Sequence, residues 1–339
     1  MSVSSSAAPA ASSSAPRVVR LGTRDVIFPS SDLSQIEDSS PLLSIDDGGA
    51  SLRARFSRDG FVFLRGALGA DNVRAARAAV IKHLTAVGGV LKEGSSTVLE
   101  EGCGLGCIPF MEGYNDVTHH PAVSAVLEGS PLRGAVGALL ETSSLRSFDY
   151  KWLRAMPRAS FTGAHVDAVY MARGSPRLLT CWVPFEDSAS LELGALAVCR
   201  GSHEASELTR VQETYGRLDT EDEPGFVGSG WLTEDPHDAA LPPSARQWVS
   251  GDFSAGDVII FGMHTLHMST ANKTDCVRIS CDVRWQPAAD VVDDRYVGTR
   301  DELLEKAKQR KKGGAWVGAG AAPDAITMGD LRRRWGLDA

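Results

Sequence analysis

The chain has 339 residues, 43% of them hydrophobic and 23% charged, enough for one large core with additions, and no apolar run approaches the ~20 residues of a membrane helix. Its net charge of −8, from 43 acidic against 35 basic side chains, argues against a general nucleic-acid partner and leaves a small-molecule substrate as the expected one; oligomeric state is not legible. Six cysteines (Cys103, Cys107, Cys181, Cys199, Cys276 and Cys281) form neither C-x-x-C pairs nor a small secreted framework, so reduced thiols in the cytoplasm are expected.

In chain order, residues 1–16 are almost wholly Ser, Ala and Pro, a composition that cannot build a packed core and predicts disorder. With Arg17, Arg20 and Arg24 behind it, this stretch resembles an organellar transit peptide, although a solvated tail has the same composition. Residues 1–50 are assigned to this tail and an N-terminal extension. Ala-rich helices are expected at about 71–87 and 121–141. Strands cluster from about 146 to 286. The order of helices first, then short β-branched strands with Gly/Pro turns, fits a mainly β domain over 51–299 with supporting helices, namely a double-stranded β-helix, or cupin-like jelly-roll.

Chemistry first appears at His165-Val166-Asp167. On a strand, residues i and i+2 share a face, so His165 and Asp167 are expected to grip one ion together. A third ligand must arrive from elsewhere, and the β-branched strand Gly256 to Phe261 delivers His264 and His267. Two imidazoles and one carboxylate on one face of a metal leave positions open, which suits non-haem Fe(II) better than a closed zinc site. Residues 204–250 lack periodicity and hold several Gly and Pro, which predicts a long insertion covering the substrate. Further on, Val277, Ile279 and Cys281 alternate with Arg278, Ser280 and Asp282, turning Arg278 and Ser280 to one face. Residues 300–339 read as a helical extension, with a charged helix from Asp301, a Gly/Ala linker over 313–322 and a short helix ending at Trp335. Rival classes lack their signatures: Ser202 has no nucleophile-elbow glycine two residues on, and no G-x-x-x-x-G-K-[ST] loop occurs.

Five ordered blocks resemble the phytanoyl-CoA dioxygenase family of Fe(II)- and 2-oxoglutarate-dependent oxygenases over roughly residues 52–300. They are Phe56–Gly66, which resembles the family's opening strand; Thr162–Asp167; Thr180–Phe185; Gly194–Val198 with Gly201-Ser202-His203; and Gly256–Phe261 through His267–Asn272 to Arg278–Ser280 and Arg284-Trp285-Gln286. The resemblance selects His267 over His264, because His267 has the family's H-x-S-x-x-N context with Ser269 and Asn272 and lies eleven residues ahead of Arg278. It implies His165, Asp167 and His267 as iron ligands and catalytic residues. It further implies Arg278 as the anchor of the distal carboxylate of 2-oxoglutarate, through paired guanidinium hydrogen bonds, with Ser269, Trp182 and Ser280 lining the same pocket.

The implied reaction consumes O2, releases succinate and CO2, and hydroxylates a C–H bond. Retention of Asp167 favours this, or a desaturation or cyclisation, over halogenation, because related halogenases replace that carboxylate. Substrate identity is not legible. An acyl-CoA would call for a basic patch, for which Arg154, Arg158, Arg173 and Arg177 are the candidates. A cupin-type metalloenzyme without 2-oxoglutarate would need no Arg278, and a silent binding protein would be expected to have lost part of the triad.

Overall fold

The computed structural model describes residues 15–94, 97–99, 116–313 and 325–338. Cys103, Cys107, nearly all of the Ser/Ala-rich tail and most of the Gly/Ala linker lie outside them. A large antiparallel sheet runs in the order Phe61–Leu64, Val258–Gly262, Leu179–Pro184, Arg278–Pro287. The ten-residue last strand then pairs with both Leu145–Ser147 and Trp152–Met156 along its far edge. A smaller sheet runs His267–Ser269, Leu196–Cys199, Trp248–Ser250, Ser34–Gln35, and its last pairing is parallel.

Residues directly opposite each other in a sheet share a face. The register Ile259↔Trp182↔Asp282 and Phe261↔Thr180↔Arg284 therefore separates the large sheet into two unlike surfaces. One carries Val62, Ile260, Cys181, Val183, Ile279, Cys281 and Val283 and packs on helices through Val80, Leu84, Leu127 and Val136. The other carries Phe63, Ile259, Phe261 and Trp182 and shares a core with Leu196, Val198, Val249 and Met268 of the smaller sheet. On this inner surface Arg278, Ser280, Asp282, Arg284 and Gln286 follow one another, all buried. A row of polar groups kept from water must find partners or serve a ligand.

Helices were expected at 71–87 and 121–141. The first forms as Ala70–Ala86. The second divides into Pro121–Leu127 and Ser130–Leu140, because Pro131 cannot continue a helix and Gly129 lies so close to the Ala125 carbonyl that a Cβ would come within 2.2 Å of it. The expected strand within 56–66 spans Phe61–Leu64, preceded by a helix Ala50–Asp59 that ends at Gly60 with φ +83. A side chain at Gly60 would also collide with His203, 2.6 Å away.

The packed structure does not start at residue 51. Strands Arg17–Leu21 and Arg24–Phe28 form a hairpin whose Val19, Leu21, Val26 and Phe28 enter the core between the sheets. Ser34–Gln35 adds a strand to the smaller sheet. Residues 204–250 are likewise more ordered than an open loop, with helical turns at Ser206–Leu208, Thr209–Glu213, Tyr215–Arg217 and Pro243–Ala245.

Candidate metal and 2-oxoglutarate site

His165 and His267 meet across an isolated antiparallel bridge, each N–H donating to the other's carbonyl at 3.0 Å. Their rings stand 4.1 Å apart between centroids. Each Nδ1 bonds to the backbone carbonyl two residues earlier, His165 to Gly163 at 2.9 Å and His267 to Thr265 at 3.0 Å. A carbonyl only accepts, so each Nδ1 carries the hydrogen and each Nε2 keeps its lone pair for a metal.

Asp167 completes the group from an unexpected element. It does not share a strand face with His165; its φ of −65° and ψ of −23° are helical, and it leads into the four-residue helix Ala168–Met171. The chain turns at Val166, so the carboxylate swings beneath both imidazoles, with Oδ1 3.8 Å from each Nε2. Ligand atoms of His165, Asp167 and His267 all lie within 4.8 Å of one another, the one such group among the described residues. His264, the alternative, is exposed and outside it.

The three groups are buried, and their charge states follow. Burial and the nearby His267 lower His165 to about 3, and burial likewise lowers His267. Both are therefore neutral and ligand-ready at neutral pH. Burial alone would raise Asp167, but the Arg284 guanidinium, helped by the Thr180 hydrogen bond, outweighs it and holds the carboxyl below its usual range. Its Oδ2 accepts from Arg284 at 3.0 Å and from the Thr180 hydroxyl.

Arg278 lies on the inner surface, 2% exposed. It donates to the Gly194 carbonyl at 2.5 Å, forms no ion pair among the described residues, and leaves its Nε without an acceptor. Burial, then the nearby Arg154, lowers it to about 10. Two residues along, the buried Ser280 hydroxyl also lacks a partner among the described residues. An uncompensated buried guanidinium beside an unpaired hydroxyl fits a carboxylate ligand, and the residues present match 2-oxoglutarate in donor type. Trp182 packs edge-on to Phe253, with the Arg278 guanidinium 5.8 Å from its ring. Ser269 accepts a 2.8 Å bond from the Thr162 N–H, which fastens the segment leading to His165. Asn272 donates to the Met156 and Cys276 carbonyls and so ties the strand beside Arg278 to the turn before it.

A family model described as phytanoyl-CoA dioxygenase matches residues 56–280. The chain belongs to the phytanoyl-CoA dioxygenase family. It is an enzyme of the class that uses iron, 2-oxoglutarate and O2. It is 25% identical over 292 residues to a 1-deoxypentalenic acid 11-beta-hydroxylase of Streptomyces exfoliatus, covering 83% of this chain and 94% of that one. Among solved structures it resembles the epimerase SnoN of nogalamycin biosynthesis in complex with Fe3+, alpha ketoglutarate and nogalamycin RO (TM-score 0.52, 18% identity, 82% of this chain and 94% of that one). It also resembles the carbocyclase SnoK of nogalamycin biosynthesis (TM-score 0.51, 18% identity, 80% and 93%). These likenesses support the fold; within the described residues the sheets are mixed with helices, and they do not by themselves close into a double-stranded β-helix.

Of the arginines an acyl-CoA would call on, Arg154 pairs with Asp282, Arg173 with Asp219 and Asp222, and Arg177 with Asp290. Thr180 and Arg284, which hold Asp167, had no assigned role in the sequence. The alternation that flagged Arg278 and Ser280 continues through Asp282 and Arg284 and could have found one of them.

Proposed function

We propose that the protein hydroxylates a C–H bond of a small organic substrate, with His165, Asp167 and His267 holding iron and Arg278 holding 2-oxoglutarate. The observation that carries this reading is the pairing of a buried three-ligand cluster with a buried arginine that forms no ion pair among the described residues. When bound, iron with 2-oxoglutarate supplies an oxidant able to remove a hydrogen atom from carbon, with succinate and CO2 as by-products.

The chain's own residues do the rest. The two Nδ1–carbonyl bonds fix the imidazoles so that Nε2 faces inward. Arg278 and Ser280 offer donors to the distal carboxylate, Trp182 walls that end of the pocket, and Ser269 keeps the metal segment in place. In sheet order the cosubstrate end thus lies at Arg278 and the metal end at Arg284, on one strand.

The neutralised arginines favour a compact substrate over a CoA ester. The relative named for a pentalenic acid points to the same size class, and the retained Asp167 favours hydroxylation over halogenation. The double-stranded jelly-roll is the fold we assign to the 51–299 region, with the N-terminal strands added to it. Residues 204–250 cover the substrate side: Leu232 and Thr233 bond to both sides of Ala164, and Trp231 packs on Gly163 so closely that a Cβ there would meet it at 2.6 Å.

Anaerobic titration of metal-free protein with Fe(II) and then 2-oxoglutarate tests the assignment. Wild type should develop the weak visible charge-transfer band of chelated iron and gain thermal stability, ~2.7 kcal/mol at a hundredfold excess over Kd. Arg278→Ala should lose most of both while still binding Fe(II). Bound iron with no band in wild type would replace this reading with a cupin-type enzyme that does not use 2-oxoglutarate.

A further inference from the structure

We infer that Arg284 and Thr180 form a two-pronged clamp on the outer oxygen of Asp167, which makes them positioning residues for the metal site. This rests on the proposed metal reading and deepens it. The two residues are directly opposite in the register of adjacent strands of the large sheet. From those neighbouring positions both donate to the same atom, Asp167 Oδ2, Arg284 at 3.0 Å and Thr180 through its hydroxyl. Oδ1 is left as the oxygen that faces both imidazoles, equidistant at 3.8 Å.

Asp167 needs such a tether because its backbone lies outside the sheet ladder, its carbonyl accepting from the Tyr170 N–H at 3.0 Å within a short helical turn. Unlike the two histidines, which are locked to each other by paired backbone bonds, it sits at the start of a four-residue helix off the sheet. A carboxylate free to rotate there could present either oxygen or both, and two oxygens on the metal side would compete for positions that 2-oxoglutarate and O2 need.

Arg284 is also placed at a cost to the fold, which points to function rather than stability. It is 2% exposed, its guanidinium carbon lies 4.0 Å from the centroid of the Trp152 ring, and its Nε and Nη1 find no acceptor among the described residues. Asp282, the other nearby carboxylate, is 3.7 Å away and already takes two nitrogens of Arg154. Among the described residues, the one side-chain hydrogen bond of Arg284 is to Asp167.

The test uses metal-free full-length protein titrated with Co(II), whose visible ligand-field spectrum reports coordination without turnover. Arg284→Met and Thr180→Val should each weaken Co(II) binding by about 10–100-fold and change the bound-state spectrum, and Arg284→Lys should recover part of both. Loss of packing alone would leave the spectrum of the bound fraction unchanged, so the spectrum separates positioning from folding. Should Arg284→Met not fold, Thr180→Val, which removes only a hydroxyl, carries the test. Wild-type affinity and spectrum in the folded variants overturn the clamp while leaving the metal site standing; absence of Co(II) binding by wild type overturns both.

Discussion

Two imidazoles buried without charge govern how the metal-free protein responds to acid. Folded His165 takes a proton only near pH 3, because burial and His267 oppose it, whereas an unfolded imidazole takes one near 6.5. The unfolded chain therefore binds more protons in that window, so stability is full above about 6.5 and falls as the pH drops toward 3, with a slope approaching ~1.4 kcal/mol per pH unit for this one group. Urea unfolding of metal-free wild type and His165→Gln between about pH 7 and 5 checks it: the variant should lose stability less steeply, and equal slopes would remove His165 as the cause. The grouping of His165, Asp167 and His267 was legible because ligand chemistry is written in residue type, His, Asp and His at family spacing. Their geometry was not. Asp167 was expected on a strand from the i, i+2 rule, and a helical turn after Val166 supplied the carboxylate instead.

At the scale of elements, the C-terminal segment has a role that periodicity alone could not give it. The helix Met328–Trp335 begins with a capping box between Thr327 and Asp330, and ends at Gly336 with φ +62. It lies over the 204–250 insertion. Val227 donates to the Ile326 carbonyl and Ile326 to Gly225, both at 2.9 Å, while Arg332 bonds to the Leu232 carbonyl at 3.0 Å and pairs with Asp238 at 2.7 Å. Leu232 in turn bonds to Ala164, next to His165. A chain of contacts thus runs from the last helix through the insertion to the metal segment. Arg332→Ala leaves Asp238 and the Leu232 carbonyl short of a donor, and a loss of about 1–3 kcal/mol is expected. Amide exchange over 225–238 should speed up more than exchange in the large sheet; unchanged protection there would show that the helix merely rests on the insertion. Sequence located both elements, the helix from its end at Trp335-Gly336 and the insertion from its lack of period. Their contact depends on side chains about a hundred residues apart, and no local pattern encodes that.

For the whole molecule, the decisive arrangement is the division of the large sheet into an apolar surface for helices and an inner surface that carries a buried polar row. The strand Arg278–Pro287 is buried on both sides, so its strict alternation records two different interiors rather than an inside and an outside. That alternation was visible in the sequence from Val277 to Asp282. The contribution of the N-terminus was not, because a Ser/Ala/Pro-rich start and three arginines mask a hairpin whose inward residues are only Val19, Leu21, Val26 and Phe28. This hairpin is joined to the site: Gly22 donates to the Ser269 carbonyl and Ala271 to that of Arg20, so it braces the strand that carries His267. Phe28 is 1% exposed in the shared core, and Phe28→Ala should cost about 3–5 kcal/mol by leaving a cavity that two sheets cannot both collapse to fill. If the hairpin braces the site, the same variant should also weaken metal binding at temperatures well below its melting point. Thermal denaturation and Co(II) titration side by side separate the two effects. A lowered melting temperature with wild-type metal affinity would mean that the hairpin supports the core without supporting His267.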